Sequence, residues 1–384
     1  MLESYSRAWC EIDLDAIAHN VAEIQKLVGH TKIMGIVKAN AYGHGALACA
    51  QALTRCGIEI FGVSSIDEAI ELREGGIEAD ILILGYTPPR HFDKLAEYGL
   101  IQSLVSCAYA KKLEQYGEAN DVVFRAHAKI DTGMNRTGIV YQPDHKHFDE
   151  LKDVYRLDHV RVEGIFSHFP VSDDLGEDAL SFTKRQIALF DEAVERLRAE
   201  GIDPGARHIQ NSYGILNYHD LGYDYCRPGL LYMGVTSDDA IEINSAPDFI
   251  PILSVWANVS VVKWLKPGET VSYGRHFKAE KPTKIATISI GYADGLPRLV
   301  SNQGVQVLVH GVPCPLVGNV CMDQCMVDVT AVENVQEGDV VCLVGEQNGH
   351  KMTIDRLSRL AHTINNETLS QIAARMPRLK KREQ

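Results

Sequence analysis

Between residues 32 and 233 short apolar runs alternate with amphipathic stretches, and no other feature limits the possible folds so sharply. The runs are Lys32 to Val37, Ile58 to Val63, Ala79 to Leu84, Ile101 to Val105, Val122 to Ile130, Val160 to Phe166, Ala206 to Ile209 and Tyr225 to Met233. Short apolar runs of this kind read as strands. Between them lie segments such as Ile66 to Arg73, whose apolar positions three or four apart mark helices lying on a sheet. The longest helix is expected from Phe182 to Glu200, with apolar residues at 187, 190, 194 and 197 and Gly201 as its cap. Eight such βα units are the content of a (β/α)8 barrel. A doubly wound open sheet would need a switch point and usually has fewer strands.

Past Gly234 the alternation stops. Strand-like runs follow one another across turns: Pro251 to Val262, Glu269 to Gly274, Lys284 to Ile290, Gln306 to His310 and Asp339 to Val344. That pattern predicts a mostly antiparallel β domain. A late helix is expected from about Thr353 to Ala361, with the polar pair Asn365-Asn366 interrupting any continuation. Ala8 to Ile12 is strand-forming and can pair with this C-terminal sheet. The expected fold is α/β: a TIM-like barrel over 12–240, then a β domain over 241–384 joined by the strand in 1–11. At 384 residues the chain exceeds one ordinary core.

A net charge of -13 argues against nucleic acid or an anionic membrane surface as main partner. The basic run Arg378-Leu379-Lys380-Lys381-Arg382 reads as a solvated tail. The nine cysteines lack framework spacing, so reduced thiols in a cytosol are expected. Cys321 and Cys325 have no matching second ligand pair, which argues against a zinc site. No run of about eighteen apolar residues occurs, nor a secretory leader, and the expected location is cytoplasmic.

Lys38 falls at the C-terminal end of the first barrel strand, the edge where barrel enzymes place catalytic groups. After apolar Gly35-Ile36-Val37 a lysine is partly desolvated, which depresses its pKa and makes it an amine nucleophile for a carbonyl. Gly43-His44-Gly45 permits close backbone approach to a ligand. Taken alone, Lys129 and Arg136 are strand-end charges pairing with Asp131, and His168 is a hydrogen-bonded strand-end side chain. Tyr273 alone is a half-buried strand residue.

Together these stretches resemble the alanine racemase family, over essentially the whole chain. Val37-Lys38-Ala39-Asn40-Ala41-Tyr42-Gly43-His44-Gly45 is similar to the family's cofactor signature. It implies pyridoxal 5′-phosphate held by Lys38 as a Schiff base, with Tyr42 on the phosphate. The block from Lys129 to Gly138 implies that Arg136 binds the substrate carboxylate, oriented by a carbamylated Lys129. His168 is implied beside the catalytic tyrosine. His208-x-x-Asn211-Ser212 implies Ser212 as a phosphate ligand, although Tyr213-Gly214 depart from the small residues usual there. Arg227-Pro228-Gly229-Leu230 implies Arg227 facing the pyridine nitrogen and the amides of Gly229 and Leu230 on the phosphate, as barrels often bind phosphate after strands seven and eight.

From the β domain, Val271-Ser272-Tyr273-Gly274 resembles the motif of the second catalytic base, acting across a homodimer on the partner subunit's cofactor. Val320-Cys321-Met322-Asp323-Gln324 and Gly291-Tyr292-Ala293-Asp294-Gly295 also match. They imply the Met322 backbone on the substrate carboxylate, with Tyr292 and Asp323 at the entrance. A phenol titrates near about 10 unperturbed, so Tyr273 needs neighbours such as Arg227 and His168. A guanidinium only donates, so Arg227 leaves the pyridine nitrogen unprotonated and the electron sink weak, which suits racemisation. The implied activity interconverts L- and D-alanine for peptidoglycan, with Tyr273 and Lys38 on opposite faces of the substrate.

Two positions depart from the pattern. In Thr363-Ile364-Asn365-Asn366-Glu367 the family's tyrosine is replaced by Asn366, as in serine racemases of vancomycin resistance, which carry a further membrane domain with no counterpart expected here. Asparagine leaves room for a hydroxymethyl group and offers it a donor and an acceptor. Two readings stand open at this position: serine beside alanine as a substrate, or neutral drift with water in the phenol's place. Asn319 stands where arginine is common. Two other readings carry less weight: a related decarboxylase would use a cysteine and an acidic partner for the ring nitrogen, against Arg227. A cofactor-carrier protein would lack the β domain.

Overall fold

In the computed structural model, which describes residues 7–245 and 247–381, the first sheet is parallel and curled. Its strands lie in the order Ala206–His208, Val160–Phe166, Phe124–Asp131, Ile101–Leu104, Asp80–Ile83, Ile60–Val63 and Gly35–Ile36. The remaining edge is covered by Lys32–Ile33 with Tyr225–Cys226. Asp224 N–H donates to the Arg207 carbonyl and Arg227 N–H to the Gln210 carbonyl, which completes the ring. The apolar runs thus become eight barrel positions, with the helices outside them.

The strand Phe124–Asp131 shows why the mouth is polar. Phe124, Ala126, Ala128 and Ile130 take one face, while Arg125, His127, Lys129 and Asp131 take the other. Alternation sends the second set toward the barrel interior. Register then aligns Lys129 with Phe166, and Phe166 with His208.

The second sheet runs Val312–Pro315, Gln306–Val309, Val340–Gln347, Leu253–Leu265, Ala8–Ile12 and Arg378–Lys380. Its pairings are antiparallel except the last, which is parallel. Ala8–Ile12 does join it, opposite Leu253–Ala257. From Val259 onward Leu253–Leu265 pairs with Thr283–Ile288, with an irregularity between Val259 and Val261. No helix among the described residues is long and apolar enough to cross a membrane.

Four expectations need correction. Tyr225 to Met233 is not one strand: only Tyr225–Cys226 is extended, and Leu230–Met233 coils into a 3-10 turn after Pro228-Gly229. Glu269 to Gly274 likewise yields only Thr270–Val271 as strand, because Ser272 and Gly274 turn to positive φ. The Asn365-Asn366 pair does more than interrupt. One helix ends at Leu360, His362 reverses at φ 56°, and a second helix, Asn365–Ser370, begins on the pair. Finally, the basic run is no solvated tail, since Arg378–Lys380 pairs with Ala8–Ile12; Arg382 lies outside the described residues. A charge run at a terminus carries no local sign of a partner strand several hundred residues away.

Candidate active site

Lys38 opens a turn of unusual handedness. Ala39, Asn40, Ala41 and Tyr42 all have φ between 47° and 53°, a conformation that costs an L-residue about 1–2 kcal/mol. Surrounding bonds hold it there. Glu68 accepts the Ala39 N–H at 2.7 Å, Asn40 Oδ1 accepts the Ala46 N–H at 2.8 Å, and Arg378 Nε donates to the Gly43 carbonyl at 2.9 Å. Buried His44 donates from Nδ1 to the Ala41 and Tyr42 carbonyls. A side chain at Gly43 would strike the Leu369 carbonyl, so the helix Asn365–Ser370 lies directly against this turn.

The Lys38 amine is held below the usual lysine range by burial first, then by the charges of Arg136 and Arg227. Lys129 follows the same physics and falls to about 8, through burial and then Arg136 and Arg227. Its Nζ donates to Thr137 Oγ1 at 2.6 Å and lies 5.7 Å from the centre of the Phe166 ring. The expected pairing of Lys129 and Arg136 with Asp131 does not form. Asp131 Oδ1 accepts the Gly133 and Asn135 amides instead, and neither cation has an ion pair among the described residues. The mouth therefore gathers Lys38, Lys129, Arg136 and Arg227 with little carboxylate to balance them, a setting that attracts anions.

Arg227 is fully buried, and burial lowers its guanidinium to about 9, still charged at neutral pH. It donates to the Ser167 carbonyl at 2.7 Å, the Ile209 carbonyl at 3.0 Å, His208 Nδ1 at 2.7 Å and His168 Nδ1 at 3.2 Å. Because arginine only donates, both histidines accept at Nδ1 and carry their proton on Nε2. Burial and then Arg227 hold both neutral. His208 passes its Nε2–H to His127 Nδ1 at 2.9 Å. Gly164 makes room for His127, since a Cβ there would sit 2.8 Å from the ring.

A third cluster has the chemistry of an oxyanion cradle. Ser212 opens the helix Ser212–Asn217, capped by Asn211, whose Oδ1 accepts the Gly214 N–H at 2.8 Å. Ser212 Oγ accepts the Gly229 N–H at 3.1 Å. A Cβ on Gly229 would meet the Tyr42 hydroxyl oxygen at 2.8 Å, so glycine keeps open the ground between that phenol and the start of the Leu230–Met233 turn. Two hydroxyls and backbone amides near a desolvated lysine suit a phosphate monoester bearing an aldehyde, and the guanidinium of Arg227 has the donor chemistry that an aromatic ring nitrogen would accept.

Nine of the expected residues thus gather at the barrel mouth: Lys38, Tyr42, Lys129, Arg136, His168, Ser212, Arg227, Gly229 and Leu230. Asn366, on the helix against the Lys38 turn, has a buried Oδ1 with no hydrogen-bond partner among the described residues. Tyr273, Tyr292, Met322 and Asp323 lie elsewhere. Tyr273 is 70% exposed and Met322 53% exposed. No hydrogen bond, ion pair or ring contact joins these four to the mouth within one chain, among the described residues. The Tyr292 and Ala293 amides donate to the Cys321 and Met322 carbonyls, and Arg375 binds both Asp294 and Asp323. The two segments therefore present their side chains as one surface.

Sequence reasoning missed Glu68, His127, Thr137 and Arg378. Glu68 sits in a Ser65-x-x-Glu68 capping pattern, which signals a helix start but not the reach of its carboxylate to Ala39 and Ser64. His127 is signalled by the strict alternation along its strand.

The alanine racemase N-terminal domain model matches residues 12–237 and the C-terminal domain model matches 252–380. The chain is 38% identical to alanine racemase 1 of Clostridium acetobutylicum over 97% of its length and 94% of that protein. Among solved structures it is similar to alanine racemase of Clostridium difficile 630, with TM-score 0.90, 30% identity and coverage of 99% and 98% of the two chains. It is similar also to alanine racemase from Bartonella henselae with covalently bound pyridoxal phosphate, at TM-score 0.85, 30% identity and coverage of 98% and 100%.

Proposed function

The chain belongs to the alanine racemase family, and from that premise we propose that Lys38 and Tyr273 of the partner subunit interconvert the alanine enantiomers as opposed proton carriers. The enzyme is a pyridoxal 5′-phosphate-dependent amino-acid racemase. That cofactor supplies an aldehyde that condenses with amines and a ring that withdraws electrons from the substrate α-carbon. Everything else falls to side chains of the protein.

Lys38, whose amine burial and the charges of Arg136 and Arg227 hold below the usual lysine range, is the amine to hold an aldehyde and to carry a proton at Nζ. The Tyr42 and Ser212 hydroxyls and the amides of Gly229 and Leu230 take the phosphate. Arg136 takes the substrate carboxylate. Lys129, at about 8, has enough free amine near neutrality to add to carbon dioxide with loss of one proton to solvent, and the carbamate anion so formed offsets the surrounding charge and orients Arg136. The exposed Tyr273, Tyr292, Met322 and Asp323 complete the partner subunit's site in a homodimer. There Tyr273 faces His168 and Arg227 and takes the proton of the L-enantiomer at its phenolic oxygen, while Lys38 takes that of the D-enantiomer.

The observation that carries this reading is Arg227, buried among carbonyls and neutral imidazoles and, among the described residues, bonded to no carboxylate. A group that only donates keeps the electron sink weak, and a brief negative charge at the α-carbon favours return of the proton over transamination. The division of labour follows: residues 12–240 as cofactor-binding barrel, and 241–384 with the first strand as the domain lending Tyr273. The product D-alanine feeds peptidoglycan synthesis in the cytoplasm.

One observation favours serine as a second substrate: the buried, unpartnered Oδ1 of Asn366 can accept a hydrogen bond from a substrate hydroxyl. Incubating the purified enzyme separately with L-alanine and L-serine, then resolving enantiomers, tests both readings. D-alanine is expected, with D-serine beside it. Release of carbon dioxide, or no inversion of either substrate, overturns the assignment.

A further inference from the structure

Tyr273 sits at the tip of a hairpin that has little means of fixing itself. The arms Thr270–Val271 and Phe277–Lys278 contribute two residues each. Between them Ser272, Gly274 and Arg275 all adopt positive φ, at 64°, 76° and 54°. Among the described residues the tip's own ties are the Arg275 N–H to the Ser272 carbonyl at 3.2 Å and an exposed bond from Arg275 Nε to Thr270 Oγ1 at 3.1 Å, neither of which holds Tyr273 itself. A small apolar cluster of Val271, Ile285, Val317 and Met326 anchors the base but not the tip.

The tip is tied from outside by Asn319. Its Nδ2 donates to the Tyr273 carbonyl at 2.8 Å, and its own carbonyl accepts from Ser272 Oγ at 2.6 Å. Asn302 Nδ2 donates to Asn319 Oδ1 at 3.1 Å, which fixes the orientation of the amide. Asn319 is buried, and the preceding Gly318, at φ 74°, lets this segment come within contact of Val271 and Ser272. A Cβ at Gly318 would lie 2.9 Å from the Val271 carbonyl oxygen.

We propose that Asn319 is a positioning residue for Tyr273: its buried amide clamps the Ser272-Tyr273 backbone and thereby aims the exposed phenol. The proposal rests on the reading of Tyr273 as the proton carrier for the L-enantiomer. A backbone held by a donor and an acceptor from one residue gains only a small rotation when either tie is cut. That rotation moves the phenol most, because the phenol lies farthest from the pivot. Proton transfer demands placement to a fraction of an ångström.

The test uses the holoenzyme and the variants Asn319→Asp, which keeps the acceptor for Asn302 but removes the donor to Tyr273, and Ser272→Ala, which removes the other tie. Hydrogen exchange across residues 268–278 is expected to quicken in both, with residues 283–288 unchanged. Exchange of the α-proton into deuterated water is expected to fall roughly tenfold more from L-alanine than from D-alanine. Equal losses from both enantiomers, or unaltered hydrogen exchange across 268–278, overturn the proposal. Tyr273→Phe, run beside them, separates the two ideas. An unequal loss there with equal losses in the Asn319 and Ser272 variants sinks the clamp alone; an equal loss in Tyr273→Phe sinks the role of Tyr273 and the clamp with it. Should Asn319→Asp fail to fold, Ser272→Ala carries the same comparison.

Discussion

Arg378 Nε donates to the Gly43 carbonyl at 2.9 Å, joining the last described strand to the left-handed turn that follows Lys38. The remaining guanidinium nitrogens bind the carbonyls of Ile372, Ala373 and Met376, so one side chain staples the end of the chain to the cofactor turn. The turn needs such support, since four consecutive L-residues sit at positive φ. Arg378→Ala is expected to lower stability by about 2 kcal/mol, the scale of charged hydrogen bonds. Cofactor should also dissociate faster, seen as loss of visible absorbance during dialysis. Absorbance retained as in the parent enzyme would show that the turn holds without Arg378.

Lys38→Ala is expected to remove the absorbance near the visible edge that accompanies covalent attachment of the cofactor, together with turnover. The groups proposed to take the phosphate, Tyr42, Ser212 and the Gly229 amide, stay in place, so the variant should still bind pyridoxal phosphate reversibly. Yellow colour that survives dialysis would assign the attachment to another amine.

His44 and His127 are both buried, and burial pulls each from 6.5 to about 4. Below 6.5 the unfolded chain binds protons that the folded chain does not, so folding stability falls as pH drops from 6.5 toward 4. Each histidine contributes a loss of about 2 kcal/mol by pH 5. Urea midpoints measured between pH 7 and 5 should therefore decline, and the decline should lessen in His127→Asn. A midpoint independent of pH across that interval would contradict the assignment of both rings as neutral.

How much of this was legible depended on distance along the chain. The barrel strands and Lys38 at a strand end follow from local apolar runs and their period. The motif blocks place the mouth residues because each block is one strand and its following loop. The left-handed turn at Ala39 to Tyr42 left no trace, for its strain is borne by Glu68, Asn40 and Arg378 rather than by glycines. Arg378 and Asn319 were opaque for a related reason. Each acts by binding a distant backbone carbonyl, and a carbonyl carries no sequence identity. Tyr273 could be found by motif, but its separation from Lys38 within one chain is a property of the fold alone.

Asn366 places a buried acceptor, unpartnered among the described residues, on the helix that packs against the Lys38 turn. Replacing it by tyrosine fills space and removes the amide, so a hydroxymethyl group loses both its room and its partner. A pocket that merely grows does not reject the smaller substrate strongly, and alanine turnover is expected to persist in both forms. Discrimination on this scale is about 1–3 kcal/mol. Asn366→Tyr should therefore lower kcat/KM for serine relative to alanine by roughly 5- to 150-fold. Parallel assays with the two L-amino acids measure that ratio directly. A ratio unchanged by the substitution would mean that the orphaned amide is satisfied by solvent and takes no part in choosing the substrate.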